Sequence, residues 1–575
     1  MPDNGDLRGV ENTPRQDTQV RVFAVPPRDD AAPPDIVQGF LEALTSDDPR
    51  YETAKLYLTP EAARDWQPEA STTVLADGPA TTADPAGGRE DGTEYSFTLT
   101  GTRIALVDEQ QSYTPVDGDY TRQVHLAKDR KTGQWRIDGL PQGVVMGQSD
   151  FQRNYTSVDK YYFASATATG AQPAVVADPV YIRRRVDAMT QMVDSLLSGP
   201  TTWLDPVVRS SFPSGTALKK DATLAPDDQN TLTVPLNDRA ADVSLTKCNE
   251  MAAQLLFTLR TLTPAVDQVE LQSGGGRLCS LDEDGADAVA TRGSAEQPGY
   301  LYFLDGDHQL VRIPASSKTT TAEAVPGTLG EGTRELRSVA VARDENQAAG
   351  VGLDGKGLYV SSLTPQEQPP APLVVSQGKT EADRLTAPSW DLHGDLWIAD
   401  RDPKNERLLL FPDGEGDAIH VATPGLDGRI ESVRVAADGV RIALVVSDGE
   451  QQSLLIGRIE RESKPGEAPS VTVREMRSAT PQLSEITTMS WAGDSRLVVV
   501  GREKEGVQQI SYVQVDGSSP ETAAPDALTG VETIAASEDE HLPLVAYSED
   551  GIVRMGSAAQ WQKVVTEGAS PVYPG

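Results

Sequence analysis

Two cysteines, Cys248 and Cys279, and five histidines, His125, His308, His393, His420 and His541, are the residues of this chain whose types could carry covalent or metal chemistry. No histidine lies three or four positions from another and none has a cysteine nearby, so the ligand spacing of a zinc site is missing. No G-x-S-x-G elbow occurs, which argues against a serine hydrolase riding on the chain. Gly350-Val351-Gly352-Leu353-Asp354-Gly355 matches G-x-G-x-x-G, but it runs into an apolar strand at Leu358-Tyr359-Val360 rather than a helix, so it reads as a turn and not a dinucleotide loop. The acidic run Asp282-Glu283-Asp284-Gly285-Ala286-Asp287 lacks the spaced glutamate of a calcium loop and is expected to be a solvated linker. Asn154-Tyr155-Thr156 fits a glycosylation sequon and is read as accidental. No catalytic residue, metal or cofactor is therefore expected. The cysteines stay open: free thiols in a cytosolic chain, or a disulfide in an exported one.

The elements that hold these residues are legible mainly in the second half. Ser389 to Asp400 reads strand, tight turn, strand: Trp390 and Leu392 alternate with polar residues, His393-Gly394-Asp395 turns, and Leu396-Trp397-Ile398-Ala399 resumes. The same unit recurs from near residues 336, 385, 430, 486 and 531. A spacing of about forty to fifty residues with several short strands per unit is the mark of a β-propeller, in which stacking buries faces that one blade cannot bury alone. Five units are clear, and Gly299 to Gly306 with His308 to Ala315 supplies part of another. Six blades are expected, closed by strands from both ends of the propeller, with five to seven as the range.

Composition bounds the rest. A chain of 575 residues is too long for one core. Hydrophobic content of 38% and 49 glycines with 40 prolines suit a folded, turn-rich protein. The net charge of −35 argues against nucleic acid and against electrostatic adhesion to anionic lipid. No apolar run is long enough to span a bilayer, and the first residues lack the pattern of a leader peptide.

Along the chain, residues 1–32 read as an exposed tether with one apolar patch at Val20 to Val25. Residues 33–148 read as a cone-like α+β domain of the NTF2 kind: a helix with Ile36, Val37, Phe40, Leu41 and Leu44 on one face, a second at 51–57, a third capped by Thr59 with Pro60 behind it, then strands at 93–106, 120–128 and 133–137. Residues 150–162 read as a connector. A second α+β domain is expected at 160–285: a strand at Tyr161 to Ala164, a helix at 181–197 ended by Gly199-Pro200, a strand at 230–237, a helix at 248–262, and a strand at 266–271 before a Gly274-Gly275-Gly276 turn. The propeller is expected over 296–575.

Leu196-Leu197-Ser198-Gly199-Pro200, Phe212-Pro213-Ser214-Gly215-Thr216 and the strand ending Val234-Pro235-Leu236-Asn237 resemble the spore-germination GerMN module. An NTF2-like unit, a GerMN module and a propeller in that order resemble the LpqB lipoproteins of actinobacteria, across nearly the whole chain. The resemblance implies a lipoprotein on the outer face of the cell membrane, lipid-anchored (as by palmitate) through a cysteine that this sequence does not contain, and the lack of a catalytic constellation together with the domain order points to a non-enzymatic role. It also implies association with the extracellular domain of an MtrB-type sensor histidine kinase, hence a part in two-component signal transduction to the envelope and division. Export in turn favours a disulfide between Cys248 and Cys279. The alternative is a glycan- or peptidoglycan-binding sensor or enzyme that uses the propeller funnel. There Trp390, Trp397 and Trp491 could stack on sugar, although their alternation suits packing between sheets.

Overall fold

A computed structural model describes residues 24–575 except 85–92, 130, 167–171, 221, 293–297, 317–320, 333, 366–368, 450, 464–468, 520–523 and 557–559. The expected strand at Val20 to Val25 falls mostly outside these residues. The chain forms two compact units, residues 1–102 with 119–154 and residues 103–118 with 155–575.

The first unit opens with helix Pro33–Leu44, which buries Ile36, Val37, Phe40, Leu41 and Leu44 as its periodicity requires. Thr59 caps the short helix Pro60–Asp65 by accepting the Ala62 amide, with Pro60 at the first helical position. Trp66 ends that helix and gathers the core: Phe40 and Tyr51 meet it edge-on at centroid distances of 5.6 and 5.8 Å, and its indole N–H donates to Gly143 O. The sheet runs Trp135–Gly139, Tyr113–Lys128, Glu94–Val107, Thr72–Leu75, Val144–Gly147, with Ala80–Asp84 also on Glu94–Val107. Trp135–Gly139 is thus an edge. Thr72–Leu75 and Val144–Gly147 pair in parallel at its other side.

Within the second α+β domain several elements depart from expectation. Residues 150–162 are no connector: helix Gln148–Asn154 leads straight into strand Tyr155–Ala164. The helix expected from Tyr181 starts at Ala188, because Tyr181 and Arg183 end strand Ala174–Arg183 and Asp187 turns and caps the chain by accepting the Thr190 amide. The run at Asp282 is not a linker. Asp282 accepts the Gly285 amide and caps helix Glu283–Val289, whose first turn places two carboxylates at its positive end. A further strand, Gly276–Asp282, follows the glycine turn and pairs antiparallel with Gln268–Ser273, which pairs in parallel with Thr231–Pro235. Helix Leu245–Leu262, capped by Ser244, buries Met251, Leu255 and Leu259 against this sheet and strand Tyr155–Ala164. Asn154 donates its side-chain amide to Thr45 O, a structural use of the apparent sequon.

From Tyr300 the chain is a six-bladed propeller. Blades 2 to 6 follow the sequence repeats, with innermost strands Leu336–Val341, Ser389–Trp390, Arg429–Val435, Glu485–Trp491 and Thr533–Ala535. Blade 1 is closed from both ends: Tyr300–Leu304 pairs outward with Leu310–Pro314 and inward with Ala569–Val572 from the end of the chain. The inner strands neighbour one another all the way round, with Ala569–Val572 touching those of blades 2 and 6. Closure removes sheet edges that would otherwise invite association. Trp390 and Trp397 are fully buried between blades, where the Trp390 indole donates to Ala340 O and the Trp397 indole to the Asp391 carboxylate. Gly350 and Gly352 belong to strand Gln347–Gly352, and Gly355, at φ +70°, turns the chain into strand Gly357–Ser362, so the motif runs strand, turn, strand.

Candidate functional site: the propeller channel and the module seated on its end

The inner strands wall a central channel. Its lining is mostly small or apolar, with Ala340, Ser389, Val435, Ser490, Trp491 and Ile534 contributed by five blades, and Tyr573 to Gly575 by the chain end. The Gly575 amide donates to Val341 O, which fixes this tail in the channel. Two guanidinium groups line it. Arg343 pairs with Glu538 through two contacts of 2.5 and 3.1 Å. Glu538 also accepts the Ala437 amide at 2.7 Å, yet burial still raises its carboxyl above the ordinary range. Among the described residues Arg434 has no such carboxylate. Burial alone pulls it down to about 10.

Where the inner strands end, the GerMN-type domain is seated. Val175 and Ala177 of strand Ala174–Arg183 share a small cavity with Ala436, Asp438, Arg441, Asp494 and Glu538 of the propeller. Arg441 is the link. It is 2% exposed, pairs with Asp438, and donates to Ala177 O of the seated domain at 3.2 Å and to Asp494 O. Desolvation pulls its charge down, but Asp438 outweighs that and holds it raised. Beside it, Asp494 accepts from the Tyr161 hydroxyl and from Arg292 Nε at 2.9 Å, while Ser495 donates to Asp159 at 2.8 Å. Asp159 is pushed up to about 6, chiefly by burial, with Ser495 opposing and Asp494 adding. On the far side of the contact, Trp203 donates to Glu475 O at 2.7 Å and accepts at its carbonyl from Arg458, under the Arg477 guanidinium at 5.1 Å. One hydrophobic core runs through both domains, from Leu196 and Trp203 to Val445, Ile456 and Trp491.

A disulfide joins Cys248 and Cys279, with Cα atoms 6.1 Å apart. It ties helix Leu245–Leu262 to strand Gly276–Asp282 inside the GerMN-type core. Among the described residues no three of His, Cys, Asp and Glu gather to hold a metal, and the five histidines stay dispersed. His125 meets Asp138 at 2.6 Å on an exposed sheet face, and His541 meets Asp539 at 2.9 Å on the surface. Of the three tryptophans that could stack on sugar, two are sealed in blade cores and Trp491 alone reaches the channel, with its indole N–H turned to Arg434 O. Sequence reasoning did not single out Arg434, Arg441, Asp159 or Asp494. An arginine within an otherwise apolar inner strand, Val433-Arg434-Val435, was the available signal for the first.

No helix among the described residues is long and apolar enough to cross a membrane. Three family comparisons match the chain in order: "Lipoprotein LpqB, N-terminal domain" over residues 26–152, "Sporulation and spore germination" over 160–279, and "Lipoprotein LpqB beta-propeller domain" over 308–574. Among curated proteins, Lipoprotein LpqB of Streptomyces coelicolor is 68% identical over all of this chain and 95% of that protein. The same-named protein of Streptomyces avermitilis is 62% identical with the same coverage, and that of Cutibacterium acnes 26% over 100% and 95%. With its three-part architecture matched in order and its whole length aligned at such identity, the chain belongs to the LpqB lipoprotein family.

Proposed function

We propose that this protein is a non-enzymatic accessory of a two-component sensor histidine kinase, held by lipid at the extracytoplasmic face of the cell membrane, and that it acts by binding the kinase's extracellular domain. The observation that carries the reading is the seating of the GerMN-type domain on the propeller. A continuous core and the hydrogen bond from buried Arg441 to Ala177 O join two binding scaffolds, which suits a protein that transmits contact rather than turns over substrate. Acidity fits a partner with a basic docking face, since complementary fields speed encounter and suppress wrong pairing. The lipid anchor is supported by the name the relatives carry.

The test is co-purification of the full chain with the ectodomain of the sensor kinase from the same cell. Saturable binding at micromolar or lower concentration supports the reading, and its absence at about 10 µM of both partners counts against it. The funnel-type glycan reading has less support, because Trp390 and Trp397 are sealed from solvent.

A further inference from the structure

Beyond partner binding, the central channel carries a feature that blade packing does not need. Arg434 stands two residues before the amide of Ala436, which closes the first hairpin of its blade on Arg441 O. The residues in the same place in three other blades, set by the amides of Ala342, Asp391 and Ala492, are Ala340, Ser389 and Ser490. All four line the channel, and three of them are small. Small residues fill this position adequately, so a guanidinium there calls for another explanation.

That guanidinium is poorly satisfied by the protein. Nη1 donates to Val433 O at 2.9 Å and only at 3.4 Å to Pro388 O, and no other hydrogen bond of the group occurs among the described residues. An arginine has five N–H donors in a planar fork. Arg434 lines the channel and keeps intermediate exposure. The other channel arginine is not available to a ligand, because Arg343 is committed to Glu538. In a chain with 86 carboxylates against 51 basic residues, a channel arginine without a carboxylate is conspicuous. The backbone of Arg434 is held by the Trp491 indole, which donates to its carbonyl at 3.1 Å, so the side chain projects from a fixed point.

We propose that the propeller channel is a binding site for a single carboxylate group, with Arg434 as its counter-ion and Val339, Val435, Trp491 and Ile534 as an apolar wall for a short aliphatic tail. One guanidinium balances one negative charge. A dianion such as phosphate would leave charge unpaired in a low-dielectric site, which is costly. The planar fork matches the two carboxylate oxygens. The carboxylate belongs either to a free short-chain acid or to the end of a peptide.

Titration calorimetry on the full chain tests this, with butyrate and butyramide as the free-acid pair, and tetra-alanine and its C-terminal amide as the peptide pair. The site predicts that at least one carboxylate binds saturably while its amide does not, and which acid binds identifies the source. Arg434→Lys, which keeps the charge but lacks the fork, weakens binding, and Arg434→Gln weakens it further, by more than about tenfold. Arg434→Gln also unfolds at or above the wild-type temperature, because it removes an uncompensated charge, whereas a purely structural arginine would cost stability. The proposal is overturned if no acid binds the wild type at about 50 mM, if amides bind as well as acids, or if Arg434→Gln binds like the wild type. The acid-against-amide comparison needs only the wild-type chain.

Discussion

Replacing Arg441 by methionine removes the charge that joins the propeller to the domain seated on it. The side chain is fully enclosed and its volume is roughly kept, so the effect is electrostatic and hydrogen-bonding rather than a cavity. Three consequences follow from its contacts. Asp438, 5% exposed, loses its ion pair, and Ala177 O and Asp494 O each lose a donor. Breaking a buried pair by removing one partner costs about 3–5 kcal/mol, because the other charge stays buried and uncompensated. Guanidinium denaturation followed by tryptophan fluorescence reads the loss, since Trp203 and Trp491 sit in the same shared core. Adding Asp438→Asn is the control. Its carbonyl oxygen can still accept the Val440 and Arg441 amides that Asp438 Oδ1 holds now, so the turn survives while the stranded charge goes. The double variant should recover about 1–3 kcal/mol of the loss. A single variant costing less than about 1 kcal/mol, or a double variant no better than the single, would refute the reading of Asp438 and Arg441 as a buried, mutually dependent pair beside the contact between the two domains.

Three further outcomes are expected. Replacing both Cys248 and Cys279 by serine, or reducing them, opens a loop of 31 residues in sequence and costs about 3–4 kcal/mol, read as a fall in the unfolding midpoint of the GerMN-type domain. Deleting residues 569–575 removes the inner strand of blade 1 and exposes the edge of Tyr300–Leu304; size-exclusion chromatography should show association, and the near-UV signal of the propeller should weaken. Asp159 has its carboxyl pushed up from 3.8 to about 6, so it contributes stability below about pH 4 that is lost as pH rises through 6. Asp159→Asn, which keeps an acceptor for Ser495, should therefore exceed the wild type by up to about 2–3 kcal/mol near pH 8 and match it near pH 4, and a constant difference across that range would contradict the assignment.

The propeller was readable because its units repeat and alternate: Ser389 to Asp400 shows in twelve residues the strand, turn and strand that five other blades reproduce. Ring closure was readable in outline from the incomplete unit at Tyr300. The GerMN-type domain was harder. Its strands Tyr155–Ala164 and Ala174–Arg183 are buried nearly throughout, so they lack the alternation that marks a half-exposed strand. The turn at Asp187 rests on a non-glycine residue in the left-handed region, which hid the break before the helix. Glu283 to Asp287 looked like a solvated run because its apolar face is only Ala286 and Val289. The channel and seam residues were out of reach for a different reason. Asp159, Tyr161, Arg292, Arg441 and Asp494 lie in four distant stretches, and only the seating of one domain on the other brings them together.

The most direct measurement of the central claim is the affinity of the full chain for the sensor kinase ectodomain, taken by biolayer interferometry for the wild type and for the Arg441→Met form. The account predicts saturable binding at micromolar Kd or tighter by the wild type, and weaker binding once the seated domain is loosened. No saturable binding by the wild type would contradict it, as would equal binding by the isolated propeller and the intact pair.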